Sequence, residues 1–329
     1  MSKNCQICSN QVGNRIHTAR EMMFGTREAF DYLECGECGT LQLVDIPDLA
    51  THYPDEYYSF SAAENELESS VQRRFAVRQI GKYLMFGKGF VGKRLAERRP
   101  YLVSRFPASL RESLLDLNFN SRILDFGCGG GELLRHLSIF GFTDLTGADT
   151  FIERDLTFPG GVRVFRSGLE SLEPAFDLIM LHHSFEHLPD PVNALLGIKR
   201  LLADDGTCLI RIPVASYAWG KYGVNWFQLD PPRHLFLYTE HSFRALAEAA
   251  GFDVIKTVYD STAAQFFISE QYAADISMHD GRAYSGKADE SIFTQGQLDK
   301  WEVQTTELNR DGRGDQACFY LKKRNKHSN

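Results

Sequence analysis

The sequence predicts an α/β fold with a doubly wound, largely parallel sheet, preceded by a small cysteine-bearing module. From Ser121 onward, short apolar runs alternate with stretches of helical periodicity. This alternation is typical of parallel strands joined by helices that cover both faces of a sheet. Four of the seven cysteines form two C-x-x-C pairs within the first 38 residues. That spacing indicates a metal site in a reducing compartment rather than a disulfide framework.

The composition is that of a globular protein with a substantial core. The chain has 329 residues, 43% of them hydrophobic, and a net charge of −7. This size suits one large domain and a small one, and the negative charge argues against broad nucleic-acid binding. No apolar run approaches the roughly 20 residues that span a bilayer. The N-terminus lacks an apolar signal core, so a cytoplasmic protein is expected.

Residues 1–45 are predicted to form a zinc-binding module. Its two C-x-x-C pairs are separated by 26 residues, a little more than in most zinc ribbons. Four thiolates suit tetrahedral zinc and leave no open coordination position, so the ion would be structural. His17 lies between the pairs and is an alternative to one thiolate. The predicted ligands are Cys5, Cys8, Cys35 and Cys38.

Residues 46–119 are predicted to be a linker followed by helices. Apolar spacing between 71 and 117 favours helices, which several glycines interrupt. Residues 71–112 contain eleven Lys and Arg but only two Glu, a local charge of +9, with aromatic residues interleaved. One interpretation is a solvated helical face over a buried aromatic stripe. The other is a surface for a polyanion: a nucleotide-diphosphate sugar, a lipid-linked pyrophosphate or an anionic membrane.

A glycine-dense turn follows the first strand of the predicted sheet. The strand ends in Asp125 and Phe126, and a helix is predicted over 132–140. The spacing Asp-x-Gly-x-Gly-x-Gly differs from the G-x-G-x-x-G of dinucleotide folds. Glycine lets the backbone approach a ligand closely, and the helix behind it offers free N–H groups.

The next strand, over 145–148, ends at Asp149. A carboxylate at this position can accept both hydroxyls of a nucleoside ribose. The alternative is that Asp149 only caps the following turn.

Further strands and helices continue the alternation to the C-terminus. Asp190 and Pro191 suit the start of a helix, as N-cap and first-turn residue, and Gly251 suits the end of another. Strands are predicted over 162–165, 176–181, 207–212, 252–259 and 316–322, and helices over 191–202 and 239–250.

The glycine turn and two later segments resemble motifs of the class I S-adenosylmethionine (AdoMet) methyltransferases. Residues 176–191, FDLIMLHHSFEHLPDP, are similar to a segment of that family, and residues 201–207, LLADDGT, to its turn before the fifth strand. The resemblance implies a Rossmann-like, seven-stranded sheet with an antiparallel last strand over residues 120–329. The four-cysteine module resembles the zinc-binding domain of bacterial sugar methyltransferases in deoxysugar and surface-polysaccharide pathways. This chain is too short for the further C-terminal domain of the deoxysugar C-methyltransferases.

The resemblance also implies which residues bind AdoMet. Gly168 stands where many relatives have an Asp for the adenine amine, so the backbone near Gly168 and Leu169 would contact adenine instead. His182 would contact the methionine end through its backbone. The implied cofactor-binding residues are Asp125, Gly127, Cys128, Gly129, Gly131, Asp149, Thr150, Leu169 and His182.

A sugar hydroxyl needs a general base with a pKa near neutral, and histidine is the first candidate. His183 and His187 follow the fourth strand, and His234 follows the fifth, at the edge where doubly wound sheets bind ligands. We rank His234 first, His183 second and His187 third; structural roles are the alternative. Arg233 and His234 could hold an anion and a proton together. His183, Glu186 and His187 also match positions that some ubiquinone-pathway O-methyltransferases use for a divalent metal, although His183 replaces a carboxylate.

The predicted function is methyl transfer from AdoMet to a sugar or glycan-pathway intermediate, as an O-methylation with a histidine base. The acceptor would be a small molecule or a lipid-linked sugar, with peripheral membrane contact through residues 71–112 as a further possibility. One alternative is a methyltransferase for a lipid, a quinone or another small acceptor. Another is a non-catalytic scaffold with an AdoMet fold. The intact glycine turn and Asp149 argue against the scaffold.

Overall fold

The computed structural model describes residues 4–52, 70–287 and 290–324. The chain divides into two compact units, each built from separate segments. The first unit comprises residues 1–54, 185–192 and 211–319, and the second comprises 55–184, 193–210 and 320–329. The sequence-based division into 1–45, 46–119 and 120–329 stays a prediction.

The described residues form strands and helices in the alternating order that the sequence predicts. The strands are β1 (Arg15–Arg20), β2 (Ala29–Glu34), β3 (Leu41–Leu43), β4 (Arg122–Phe126), β5 (Asp144–Ala148), β6 (Leu156–Thr157), β7 (Arg163–Phe165), β8 (Phe176–His182), β9 (Leu202–Pro213), β10 (Phe236–Leu237), β11 (Phe252–Tyr259) and β12 (Gln316–Lys323). The α-helices are α1 (Val71–Phe86), α2 (Phe90–Arg98), α3 (Pro100–Ser104), α4 (Glu132–Phe140), α5 (Pro191–Leu201), α6 (Tyr217–Tyr222), α7 (Glu240–Ala249), α8 (Ala264–Ala273) and α9 (Gln295–Arg310).

The first unit contains a four-stranded sheet in the order β1-β2-β3-β10. All three pairs are antiparallel, with Ile16 opposite Leu33 and Leu41 opposite Leu237. The N-terminal cysteine module thus shares a sheet with a strand that lies about 200 residues later in the chain. The sequence did not predict this pairing, because β10 is only two residues long.

The first unit also holds three helices that the sequence analysis did not predict, α6, α8 and α9. Apolar residues of α8 and α9, among them Phe266, Trp301 and Leu308, pack into one buried cluster. A capping box begins α9: the Thr294 hydroxyl accepts from Gln297 N, and the Gln297 side chain accepts from Thr294 N. This local signal was present in the sequence.

The second unit contains the core of an α/β fold. Its strands follow the order β12-β9-β8-β4-β5-β7-β6, and β11 neighbours β12 in the first unit. The pairs β4–β5, β4–β8 and β5–β7 are parallel, whereas β6 is antiparallel to β7. The α/β class is therefore confirmed. The sheet has eight strands rather than the predicted seven, because β6 adds a two-residue strand at its edge.

Most predicted elements of the core agree with the structure. The helix over 132–140 and the strand over 252–259 have the predicted bounds, and the helix predicted from Pro191 begins there. Strand β9 starts at Leu202 instead of Thr207. Gly206 lies within β9 and packs against Phe176 O of the neighbouring β8, where a Cβ would lie at 2.9 Å. The antiparallel direction of the last strand stays a prediction.

The helices predicted between 71 and 117 are confirmed in α1, α2 and α3. Gly87 ends α1 in a left-handed conformation with φ 63°, which glycine adopts at little cost. Gly92 packs directly on the backbone of Gln79, so α2 lies tightly against α1. Residues 53–69 of the predicted linker lie outside the described part of the chain. Within the described residues, no helix is long and apolar enough to cross a membrane.

Candidate active site and cysteine cluster

The glycine turn after β4 requires glycine at each of its three alternate positions. Gly127, Gly129 and Gly131 have φ of 75°, 51° and 75°, a region that side chains rarely tolerate. A Cβ on Gly127 would collide with Ser184, and one on Gly131 would lie 2.7 Å from Val164 Cγ2. The turn therefore brings backbone close to the neighbouring strands and starts α4 directly behind it.

Asp149 lies at the end of β5 and is bound to this turn. Its Oδ2 accepts a hydrogen bond from Gly129 N at 2.9 Å, and its Oδ1 accepts one from Phe151 N at 2.8 Å. The side chain is only 6% exposed. The second bond is a local turn contact of the kind that the capping alternative predicted. The first bond is not local, because it joins the ends of two neighbouring strands.

A second carboxyl group shares this region. Asp125 lies on β4 beside Gly147 of β5 and is 3% exposed. Burial, followed by the negative charge of Asp149, raises the pKa of Asp125 to about 7. Burial also raises the pKa of the Cys128 thiol well above its usual value, so the thiol is neutral at physiological pH. A cationic ligand would favour the ionised form of Asp125.

The remaining predicted cofactor residues lie in the same unit. Thr150 follows Asp149 and is exposed, and Leu169 is buried in a short 3₁₀ turn. His182 is the last residue of β8 and is half-buried. The carbonyl oxygen of Leu169 accepts from Arg200 Nη2 at 2.7 Å. Sequence reasoning missed Arg200, which holds the backbone expected to contact adenine.

A pocket of about 500 Å³ in the second unit lies at the other edge of the sheet. Arg122, Asp144 and Phe176, the first residues of three parallel strands, line it. Ligands of doubly wound sheets bind at the carboxyl ends of the strands. This pocket is therefore not the candidate cofactor site.

In the first unit, two histidines and a glutamate converge. The rings of His187 and His234 have centroids 4.9 Å apart, and His234 Nε2 lies 3.9 Å from Glu186 Oε1. Glu186 is completely buried and His234 is 7% exposed. One ligand atom from each of the three residues lies within 4.8 Å of the others, so the cluster could hold a metal ion. His183 belongs to the second unit and has φ 51°.

Backbone carbonyls fix the protonation of both rings. His234 Nδ1 donates to Gln228 O at 2.6 Å, and His187 Nδ1 donates to Arg233 O at 2.7 Å. A carbonyl only accepts, so each Nδ1 carries the proton and each Nε2 is the basic atom of the neutral ring. Burial, followed by the neighbouring His187, lowers the pKa of His234 to about 4. At neutral pH, His234 is an uncharged proton acceptor.

Arg233 does not serve as the anion-binding partner of His234 that the sequence suggested. Its guanidinium group is fully buried and donates to Asp230 Oδ2 at 2.9 Å and to Glu21 Oε1 at 2.9 Å. It also stacks over Phe24, 5.0 Å from the ring centroid. Two carboxylates already neutralise this cation, so it stabilises the loop that carries His234.

The four predicted metal ligands lie together. The sulfur atoms of Cys5 and Cys38 are 3.6 Å apart, and those of Cys8 and Cys35 are 3.5 Å apart. In a tetrahedral site with Zn–S bonds of about 2.3 Å, neighbouring sulfur atoms lie about 3.8 Å apart. The geometry of the four thiols therefore fits zinc. The cluster comprises Cys5, Cys8, Cys35 and Cys38.

Backbone amides support the cluster as they do in thiolate metal sites. Cys35 Sγ accepts hydrogen bonds from Glu37 N and Cys38 N, both at 3.4 Å. Hydrogen bonds of this kind hold a metal-binding sulfur atom in position. His17 is not part of the cluster; its Nε2 is paired with Glu34 Oε2 at 2.9 Å, which removes it as an alternative ligand.

The cysteine module is bonded directly to the His234 loop. Tyr32 on β2 donates its hydroxyl to His234 O at 2.8 Å, and Leu43 N donates to Leu235 O at 2.9 Å. Thr239 donates to Cys38 O at 2.9 Å. These contacts join residues that are far apart in sequence, which is why sequence reasoning missed Glu21 and Tyr32 as supports of the loop.

Comparison with solved structures finds proteins of similar fold. One is the complex of the Haloferax volcanii Trm112 methyltransferase activator with a methyltransferase, at 17% identity and a TM-score of 0.43, covering 72% of this chain and 97% of that chain. Another is the cyclopropane synthase MmaA2 from Mycobacterium tuberculosis, at 17% identity and a TM-score of 0.42, covering 68% of this chain and 84% of that chain. A third is a possible histamine N-methyltransferase from Thermotoga maritima, at 19% identity and a TM-score of 0.40, covering 75% of this chain and 99% of that chain.

A family model gives the assignment. No match is found among curated proteins. Residues 95–257 match the model of a methyltransferase domain. The matched segment contains the glycine turn, Asp149, the His187 region and the His234 loop. The chain therefore carries a methyltransferase domain over these residues.

Proposed function

We propose that this enzyme methylates a hydroxyl group of a sugar or glycan-pathway intermediate. AdoMet supplies an activated methyl group when bound, so the protein has to position the acceptor and remove its proton. The observation that carries the cofactor part is the carboxylate of Asp149, fixed beside three left-handed glycines. The sugar acceptor rests on the resemblance of the four-cysteine module to that of sugar methyltransferases.

The residues after β4 and β5 fit a nucleoside ligand. Each oxygen of Asp149 accepts one backbone N–H, and a carboxylate oxygen offers about two acceptor sites. One site on each oxygen is thus left for a ribose hydroxyl. The side chain needs no rotation to accept such a ligand, because the two amides already hold it. We propose that the other predicted residues also contact this ligand. They are Asp125, Gly127, Cys128, Gly129, Gly131, Thr150, Leu169 and His182.

A histidine is the proposed proton acceptor. His234 and His187 each direct a basic Nε2 away from the carbonyl that binds Nδ1. Protonation of His234 would be stabilised by Glu186, whose Oε1 lies 3.9 Å from Nε2. A low pKa weakens a base, but it also keeps the ring deprotonated and ready at neutral pH. His183 is the alternative in the second unit.

The four cysteines are proposed to hold one structural zinc ion. Four thiolates complete its coordination, so the ion would stabilise the small sheet and take no part in the transfer. Elemental analysis should find about one zinc per chain, because a four-thiolate site holds a single ion. Cys8→Ser should release it; a protein that keeps its zinc after this change would contradict the ligand set.

Calorimetry with S-adenosylhomocysteine tests the cofactor site. Asp149→Ala removes two charge-assisted hydrogen bonds to ribose, about 1.5–3 kcal/mol each, so affinity should fall at least about a hundredfold. Asp155→Ala, at an exposed carboxylate of the same unit, is the matched control and should bind normally. Equal affinity of wild type and Asp149→Ala would remove the assignment of Asp149.

A screen with radiolabelled AdoMet tests the acceptor. Nucleotide sugars and lipid-linked sugars form the predicted arm, and quinones, lipids and small amines form the comparison arm. Label transferred to a sugar and retained through mild alkaline hydrolysis, which cleaves methyl esters but not methyl ethers, supports the proposal. Label only in the comparison arm would leave a methyltransferase with another acceptor class.

A further inference from the structure

Helix α1 presents a basic and apolar face to solvent. Its exposed residues follow the spacing i, i+3, i+4, i+7 and i+11, which places them along one side of a helix. Val71 is 72% exposed and Phe75 is 59% exposed. The residues of this face are Val71, Arg74, Phe75, Arg78 and Lys82.

Helix α2 also exposes basic and apolar side chains. Phe90 is 74% exposed and Val91 is 51% exposed, and the Arg94 guanidinium lies 5.3 Å from the centroid of the Phe90 ring. Lys93 and Arg94 are also exposed. Because Gly92 packs on α1, the two helices form one hairpin inside the second unit. We call the exposed side chains of α1 and α2 the hairpin face.

The hairpin face is predominantly basic. Residues 70–98 contain eight Lys and Arg and one acidic residue, the exposed Glu97, whereas the whole chain carries −7. A solvated face would have polar residues where Val71, Phe75, Phe90 and Val91 stand. These large apolar side chains remain at the surface although their neighbours in α1 and α2 are buried. Exposed apolar side chains on a predominantly basic surface therefore indicate a partner that is both anionic and apolar.

We propose that the hairpin face docks on an anionic lipid bilayer. Phe75, Phe90 and the two valines would enter the headgroup boundary, while Arg and Lys pair with lipid phosphates. A nucleic acid would offer phosphates and stacking bases but no apolar phase for Val71 and Val91. The described helices cannot span a membrane, so the hairpin lies in the plane of the surface.

Vesicle co-sedimentation of the full chain tests this docking. Vesicles of phosphatidylcholine mixed with phosphatidylserine should bind the protein, and vesicles of phosphatidylcholine alone should bind it weakly. Added salt should release it, because exposed charges are screened. The triple change Arg74→Glu, Arg78→Glu, Lys82→Glu should lower the partition coefficient of the protein onto the vesicles. Each of the three substitutions should contribute a factor of about five or more.

A charge-matched control separates docking from simple net charge. The exposed residues Arg154, Lys300 and Arg310, changed together to Glu, alter the charge equally and should leave binding close to wild type. The pair Phe75→Ser and Phe90→Ser should weaken binding without removing its salt dependence. Equal effects of the two charge triples, or equally weak pelleting of wild type on both vesicle types, would overturn the proposal. Tight binding to single-stranded RNA without vesicle binding would overturn it as well. Methyl transfer need not be measured, so this test is independent of the proposed function.

Discussion

The carboxyl group of Asp125 makes the stability of the cofactor-free protein depend on pH in an unusual direction. In the folded protein, its pKa is raised from 3.8 to about 7, first by burial and then by the charge of Asp149. In the unfolded chain the same carboxyl titrates near 3.9. Between these pH values, the folded protein holds a proton that the unfolded chain has lost. The contribution of this group to stability therefore falls as pH rises from about 4 to about 7.

Asp125→Asn preserves the shape of the side chain and removes its titration. Above pH 8, a pKa raised by about 3 units lowers the free energy of unfolding by about 4 kcal/mol, since each unit is about 1.4 kcal/mol. Part of this decrease has already taken place at pH 4.5. We therefore expect the free energy of unfolding of the variant to gain about 3 kcal/mol on that of wild type between pH 4.5 and pH 8.

Urea unfolding at pH 4.5, 6 and 8 measures this gain. Far-UV circular dichroism is the suitable probe, because Trp219, Trp226 and Trp301 all belong to the first unit and Asp125 to the second. Asp144→Asn, at an exposed carboxylate that begins β5, is the control and should parallel wild type. A difference between Asp125→Asn and wild type that is the same at all three pH values would refute the raised pKa.

Three further substitutions test the glycine turn, the buried ion network and the histidine cluster. Gly127→Ala should lower the free energy of unfolding by about 1–3 kcal/mol, because a positive φ and contact with Ser184 both oppose a Cβ; thermal melts measure it, and an unchanged melt would contradict the geometry of the turn. Arg233→Met should destabilise by about 3–5 kcal/mol in urea, because it leaves two carboxylates buried without their cation; a loss below about 1 kcal/mol would mean that the network is not essential. His234→Asn should lower turnover by about 10²–10⁴-fold while S-adenosylhomocysteine affinity stays normal; near-wild-type turnover would move the role of base to His183.

The alternating core was predictable from the sequence because glycines mark its boundaries. Gly131 precedes α4 and Gly251 precedes β11, so both elements have the predicted bounds. Helix α8 was missed because its apolar residues are spread around the helix instead of forming a stripe. Helix α9 was missed although Thr294 gave a local capping signal.

The residues that hold the histidine cluster in place could not be predicted from the sequence. The ion pair between Glu21 and Arg233 joins positions 212 residues apart, and Tyr32 reaches His234 O over 202 residues. A single sequence gives no periodicity or spacing for such contacts. Its local patterns nevertheless predicted the four cysteines, because both pairs follow one short motif.

The hydrogen bonds from Tyr32 and Leu43 to the segment around His234 change what a chelator experiment would report. The sheet that carries the cysteines also carries the backbone next to the proposed base. An ion bound by those sulfur atoms would be coordinatively saturated and chemically inert. It would nevertheless affect the reaction rate, because it helps to fix the position of the His234 imidazole. Stripping it would then slow turnover and leave nucleoside affinity almost unchanged. Such an enzyme could be taken in an assay for one that uses its metal in catalysis.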